Sequence, residues 1–125
     1  MILLDTSALI GALTGPKKSL EMLTVLLTRG ERVFLPAIVI YEWLRGPRTP
    51  VELADQENLF PSMYAIPFEA EDAVLAAKLY RAVRRARSRE IDLTIAACTI
   101  RHNAELWTLN TADFTDIPGL RLFRA

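Results

Sequence analysis

Cysteine and histidine each occur once in the 125-residue chain, as Cys98 and His102. A single cysteine cannot close an internal disulfide, and inside the apolar "IAACTI" it reads as a small buried thiol. The same scarcity excludes a zinc site assembled from several His and Cys ligands. A Cys–His or Ser–His hydrolase would have to use His102, and no G-x-S-x-G nucleophile elbow accompanies it. Any enzymatic chemistry therefore falls to carboxylates. Long apolar runs are missing too, since none approaches the roughly 20 residues that span a bilayer. No basic stretch precedes "ILL" and Asp5 interrupts that run, so a cytoplasmic location away from membranes is the expectation. Net charge is also lacking: 15 Lys and Arg balance 15 Asp and Glu, so the molecule as a whole does not attract nucleic acid.

What is present is ordinary for a soluble globular protein, with 51% hydrophobic and 24% charged residues. The length suits a single domain over residues 1–125 with one core. Strand and helix signals alternate. "MILL" predicts a buried strand and "KKSLEMLTVLLTRG" a helix with Leu20, Leu23 and Leu27 on one face. "RVFLP" predicts a second strand, and "PAIVIYEWLRGP" a short helix with Pro36 in its first turn and Gly46-Pro47 ending it. A helix is expected from Thr49 or Pro50, then a weaker third strand in "YAIPF", limited by Pro67. "EAEDAVLAAKLYRAVRRA" predicts a helix whose apolar face is Ala70, Ala73, Val74, Ala77 and Tyr80. "IDLTIAACTIRHN" predicts a buried helix, and "ELWTL" and "LRLF" close the chain as strands. Such alternation argues for an α/β domain with a mainly parallel sheet of four or five strands, covered on both faces.

In open sheets of this kind sites form beyond the carboxyl ends of the strands, where strand order reverses. Asp5 stands at such an end. Glu42 lies on the helix after the second strand, Asp92 opens the buried helix, and Asp113 follows "ELWTL". Each has a plain structural reading: Asp5 capping a helix that begins near Ser7, Glu42 pairing with Arg45, Asp92 favouring a helix N-terminus, Asn110 and Asp113 forming a capping box. Together the four acids would repel one another in a shared site, and a divalent cation removes that penalty. Oxygen ligands without His or Cys point to Mg²⁺ or Mn²⁺. The hydroxyls of Thr6, Ser7 and Thr108 and the amide of Asn110 are suited to holding the acids and metal-bound waters. "YRAVRRARSR" sets Arg81, Arg84, Arg85, Arg87 and Arg89 in one acid-free stretch, which is either a solvated helix face or a phosphate-contacting patch.

The series "ILLDTSALI", "LPAIVIYEWLRG", "IDLTIAAC" and "LWTLNTADFTDIPGLRLF" resembles the PIN-domain ribonucleases, and in particular the toxins of VapBC-type toxin–antitoxin modules, from residue 2 to about residue 123. The resemblance implies a PIN-like three-layer α/β/α sandwich. It carries the family's acidic quartet onto Asp5, Glu42, Asp92 and Asp113, its hydroxyl onto Thr6 or Ser7, and its polar residue before the last acid onto Asn110. Asp116 is a possible extra acid in a turn. Leu109 departs from the basic residue many relatives place there, and Trp43 and Trp107 replace aliphatic residues. The implied activity is a Mg²⁺- or Mn²⁺-dependent endoribonuclease, with a metal-activated water attacking the phosphodiester. Arg45, Arg48 and the arginines from Arg81 to Arg89 are the candidate RNA contacts. Further implications are a tRNA or ribosomal RNA substrate, a homodimer, and a cognate antitoxin that occludes the site.

Two other chemistries of sheet-end aspartates fit less well. A haloacid-dehalogenase-type phosphatase needs a second aspartate two residues after the first, where Ser7 stands. A receiver domain needs a phosphoacceptor aspartate after strand three, where "YAIPF" runs into Glu69 and Ala70. The non-enzymatic alternative is a PIN scaffold that binds RNA or protein with little or no cleavage.

Overall fold

The computed structural model describes residues 1–124. Along them run β1 (Ile2–Leu4), α1 (Thr6–Leu13), α2 (Leu20–Thr28), β2 (Val33–Phe34), α3 (Ala37–Arg45) and α4 (Pro50–Leu59). There follow α5 (Ala70–Ala82), α6 (Glu90–Arg101), β3 (Glu105–Trp107) and β4 (Arg121–Leu122). The strands lie in the order β2-β1-β3-β4, and every pair is parallel. Ile2, Leu3 and Leu4 are all buried although successive side chains point to opposite faces, so helices cover both sides of β1. The result is the expected α/β layering with four strands. Because β1 pairs with β2 on one side and β3 on the other, strand order reverses at its carboxyl end. Asp5 follows at once, its N–H donated to the Trp107 carbonyl at 2.9 Å. No helix among the described residues is long and apolar enough to cross a membrane.

Helix α4 starts as its sequence predicts: the Thr49 hydroxyl accepts from the Glu52 N–H at 3.2 Å while the Glu52 carboxylate accepts from the Thr49 N–H at 2.9 Å. Four expectations are corrected. "YAIPF" is no strand; Ile66 makes one parallel bridge to Pro36, and the flanking Pro67 has no N–H to extend a ladder. Helix α5 stops at Ala82 rather than running through the arginines. Val83 is extended, Arg85 takes a left-handed φ of 51°, and a tight turn at Ala86–Arg89 leads into α6. Side chains take over the last carbonyls there, with Ser88 Oγ bonding the Arg85 oxygen at 3.0 Å and Arg89 Nη1 the Arg84 oxygen at 2.9 Å.

The buried face of α5 is also not the predicted one. Asp72, Ala76 and Leu79 point inward, whereas Ala70, Ala73, Val74, Ala77 and Tyr80 face out, Val74 being 60% exposed. Asp72 goes inside because the Arg101 guanidinium meets it at 2.7 Å and the Glu69 N–H at 2.7 Å. Finally, neither Asp5 nor Asn110 caps a helix with its side chain.

Candidate functional site

Asp5 is 4% exposed, and its Oδ2 accepts hydrogen bonds from Ser7 Oγ and Thr108 Oγ1, each at 2.8 Å. These donors come from α1 and from the end of β3, the two segments that converge where the strand order reverses. They offset the cost of burying a carboxylate. The same hydroxyls order the loop after β3: Ser7 Oγ accepts the Leu109 N–H at 2.9 Å and Thr108 Oγ1 the Asn110 N–H at 3.0 Å. Leu109 lies over α1, where a Cβ at Gly11 would meet its Cδ1 at 2.7 Å. The absence of a side chain at Gly11 thus gives the loop room to close on the helix. Beside Asp5, Thr6 Oγ1 donates to Glu42 Oε1 at 2.5 Å, linking α1 to α3. Arg45 reaches the other oxygen of Glu42 at 3.4 Å, so the pair expected from sequence forms, loosely.

Asp92 sits half-buried in the first turn of α6. Burial pushes its carboxyl up to about 6, and the negative charges of Asp5, Glu42 and Asp113 push in the same direction. The charges of Asp5, Glu42 and Asp113 therefore all reach Asp92. Two cavities flank Asp92 and share Ser88 and Arg89 as a wall. One, of about 300 Å³, is lined by Asp92, Asp113 and Asp116 with Arg84 and Arg85. The other, of about 280 Å³, is lined by Glu42 and Asp92 with Arg45 and Arg87.

The seven candidate RNA-contacting arginines divide into groups. Arg84, Arg85 and Arg87 are exposed at the rims of these cavities, together with Arg45. Arg48 instead donates from Nε to the Trp43 carbonyl at 2.9 Å and lies over the Trp43 ring, 4.2 Å from its centroid. Arg81 lines an apolar hollow between α5 and α6 that contains none of the four acids. Arg89 is held by Asp116 through two bonds of 2.9 and 2.6 Å and bonds the Asp113 carbonyl at 2.7 Å. This clamp escaped sequence reasoning, which did single out the hydroxyls of Ser7 and Thr108 as partners for the acids. The signal for the clamp lay in Asp116, an acid in the turn just beyond Asp113.

The donor set around Asp92 is oxygen only. Among the described residues no group of three or more Asp, Glu, His or Cys side chains is arranged to hold a metal ion. An open acid cluster of this sort fits a hard ion that keeps several waters and takes one or two direct carboxylates; it does not fit a closed tetrahedral zinc cage.

Comparisons with known proteins agree with the fold. The family model described as PIN domain matches residues 2–120. The chain is 29% identical over 123 residues to Ribonuclease VapC19 of Mycobacterium tuberculosis, covering 97% of this chain and 98% of that protein. Its fold is similar to VapBC2 from Rickettsia felis, crystallised bound to a promoter DNA fragment, with TM-score 0.74, 22% identity and 98% of each chain covered. It is also similar to a chain of a toxin-antitoxin complex from Klebsiella pneumoniae, with TM-score 0.73, 24% identity, and 96% of this chain and 95% of that one covered.

Proposed function

This chain belongs to the PIN-domain family, and on that premise we propose that it is a Mg²⁺- or Mn²⁺-dependent endoribonuclease, the toxin of a toxin–antitoxin module. The observation that carries the reading is the convergence of acids from other segments on Asp92: Glu42 and Asp113 each line a cavity with it, and their charges and that of Asp5 add to burial in pushing its carboxyl up. Such a cluster works against folding unless a cation balances it. The likeness to Ribonuclease VapC19 supports RNA as the substrate, and the likeness to a toxin-antitoxin complex supports an antitoxin partner.

Asp5 and Asp92 are the direct ligands in this reading, with Glu42 and Asp113 completing the set. The ion, when bound, supplies a water of lowered pKa and neutralises charge developing on the phosphate. The remaining work belongs to the chain's own groups. Ser7 and Thr108 lock the Asp5 carboxylate, Thr6 fixes Glu42, and the Asn110 side chain stands exposed in the loop after β3. Arg45, Arg84, Arg85 and Arg87 draw the phosphates of a tRNA or ribosomal RNA loop into the cavities beside Asp92. The whole chain, 1–125, acts as one domain in the cytoplasm, as a homodimer, and the antitoxin silences it by covering the acids.

The test is an RNA mixture incubated with the protein in Mn²⁺ and, in parallel, in EDTA. Fragments are expected with Mn²⁺, none with EDTA, and none from an Asp5→Asn variant. RNA retained by the protein without any fragments overturns the enzymatic reading in favour of a binding module.

A further inference from the structure

The acids are held by more than their own elements. Asp113 lies in a short turn, Thr111–Asp113, with no long helix behind it. On the inner side the turn is anchored by the buried Phe114 and Ile117. On the side facing α6 its polar anchor is Arg89. Nη2 of Arg89 donates to the Asp113 carbonyl at 2.7 Å and to Asp116 Oδ1 at 2.6 Å, while Nη1 reaches Asp116 Oδ2 at 2.9 Å and the Arg84 carbonyl at 2.9 Å. Arg89 itself immediately precedes α6, three residues before Asp92. Its side chain is 14% exposed, and its Nε is buried with no partner. A buried unpaired donor costs free energy, so the two ends of the guanidinium outweigh that cost to hold this geometry.

We propose that Arg89 and Asp116 form a latch that positions the acid cluster: the fork of Arg89, set by Asp116, fixes the backbone of Asp113 against the start of α6 and thereby sets the gap between Asp113 and Asp92. Asp116 is then the latch partner rather than a fifth ligand, and Arg89 is a positioning residue rather than an RNA contact. The inference rests on the nuclease reading of the four acids. It also accounts for the placement of the neighbouring arginines, since Arg84 and Arg85 line the cavity exposed while Arg89 is held, partly buried, in the wall that the two cavities share.

Arg89→Met, Asp116→Ala and the double variant test it with three readouts. The first needs neither metal nor RNA: amide exchange at Asp113 and Phe114 is to speed up about tenfold or more in both single variants, and no further in the double. The second is Mn²⁺ binding to the RNA-free protein, whose midpoint is to rise several-fold equally in all three. The third is cleavage, where kcat is to fall about tenfold with KM for RNA within about twofold, and Arg89→Lys is to restore part of it. A raised KM at unchanged kcat in Arg89→Met alone, with Asp116→Ala behaving as wild type, overturns the latch and makes Arg89 an RNA contact. Unchanged amide exchange also overturns it. If wild type cleaves no RNA while the exchange and Mn²⁺ effects appear as described, the nuclease reading fails and the latch stands.

Discussion

An ionised Asp92 works against folding. Its carboxyl is pushed up from an ordinary 3.8 to about 6 in the native state, by burial first and by Asp5, Glu42 and Asp113 after it. Between those two values the folded protein binds more protons than the unfolded one, so stability falls as pH rises through that window, and the deficit persists above it. Asp116 behaves in the opposite sense: the Arg89 hydrogen bonds lower its pKa, so its contribution is present at neutral pH and is lost on acidification. Asp92→Asn removes the first effect alone. In EDTA the variant is expected to melt above wild type at about pH 7.5, with the difference shrinking at about pH 5. Mn²⁺ is expected to raise the wild-type melting temperature more than that of the variant. Parallel melting curves at both pH values, with no response to Mn²⁺, would show that the cluster exerts no such field on Asp92.

At the level of the element, α5 and α6 are tied through a side chain that periodicity reads as surface. Asp72 is 0% exposed, bonded to Arg101 and to the Glu69 N–H, and Glu69 and Glu71 lie within 3.7 and 3.5 Å of the same guanidinium. Taken as polar, Asp72 turns the apparent apolar face of α5 towards Ala73, Val74 and Ala77. Once paired, it faces inward with Ala76 and Leu79. The helix itself was therefore legible in the sequence, but its orientation was not. The arginine turn was missed because its carbonyls are satisfied by Arg89 and Ser88, which no local pattern announces. Arg101→Met leaves Asp72 buried without its cation and is expected to lower stability clearly, though by less than breaking a fully buried pair because Arg101 is partly exposed. Val74→Glu, on the face that looked like core, is expected to stay within about 0.5 kcal/mol of wild type. Urea melts of the two variants measure both, and a large loss in Val74→Glu without one in Arg101→Met would reverse the orientation assigned to α5.

Across the whole molecule the meeting of Asp5 with the end of β3 was legible because topology leaves little choice. A parallel sheet with β1 between β2 and β3 brings the segments after β1 and β3 together, and Asp5 and Thr108 follow directly. The arginines depend instead on turns and pairing, so sequence alone put Arg48 and Arg89 in the same class as Arg84, Arg85 and Arg87. That division has a measurable consequence in a protein of zero formal net charge. With no overall attraction, RNA affinity should follow salt only through the arginines that meet phosphates. If Arg45, Arg84, Arg85 and Arg87 each neutralise one phosphate of a single strand, log K falls with log salt at a slope of roughly −3. Removing Arg84 and Arg85 together should flatten it by about 1.4. Substituting Arg48 should leave the slope unchanged, because its guanidinium already lies over Trp43. Fluorescence anisotropy across a salt series reads these slopes, using an Asp92→Asn background so that the RNA stays intact. An unaltered slope on removing Arg84 and Arg85 would mean that the strand does not pass over the turn between α5 and α6, and that the cavities beside Asp92 are not its path.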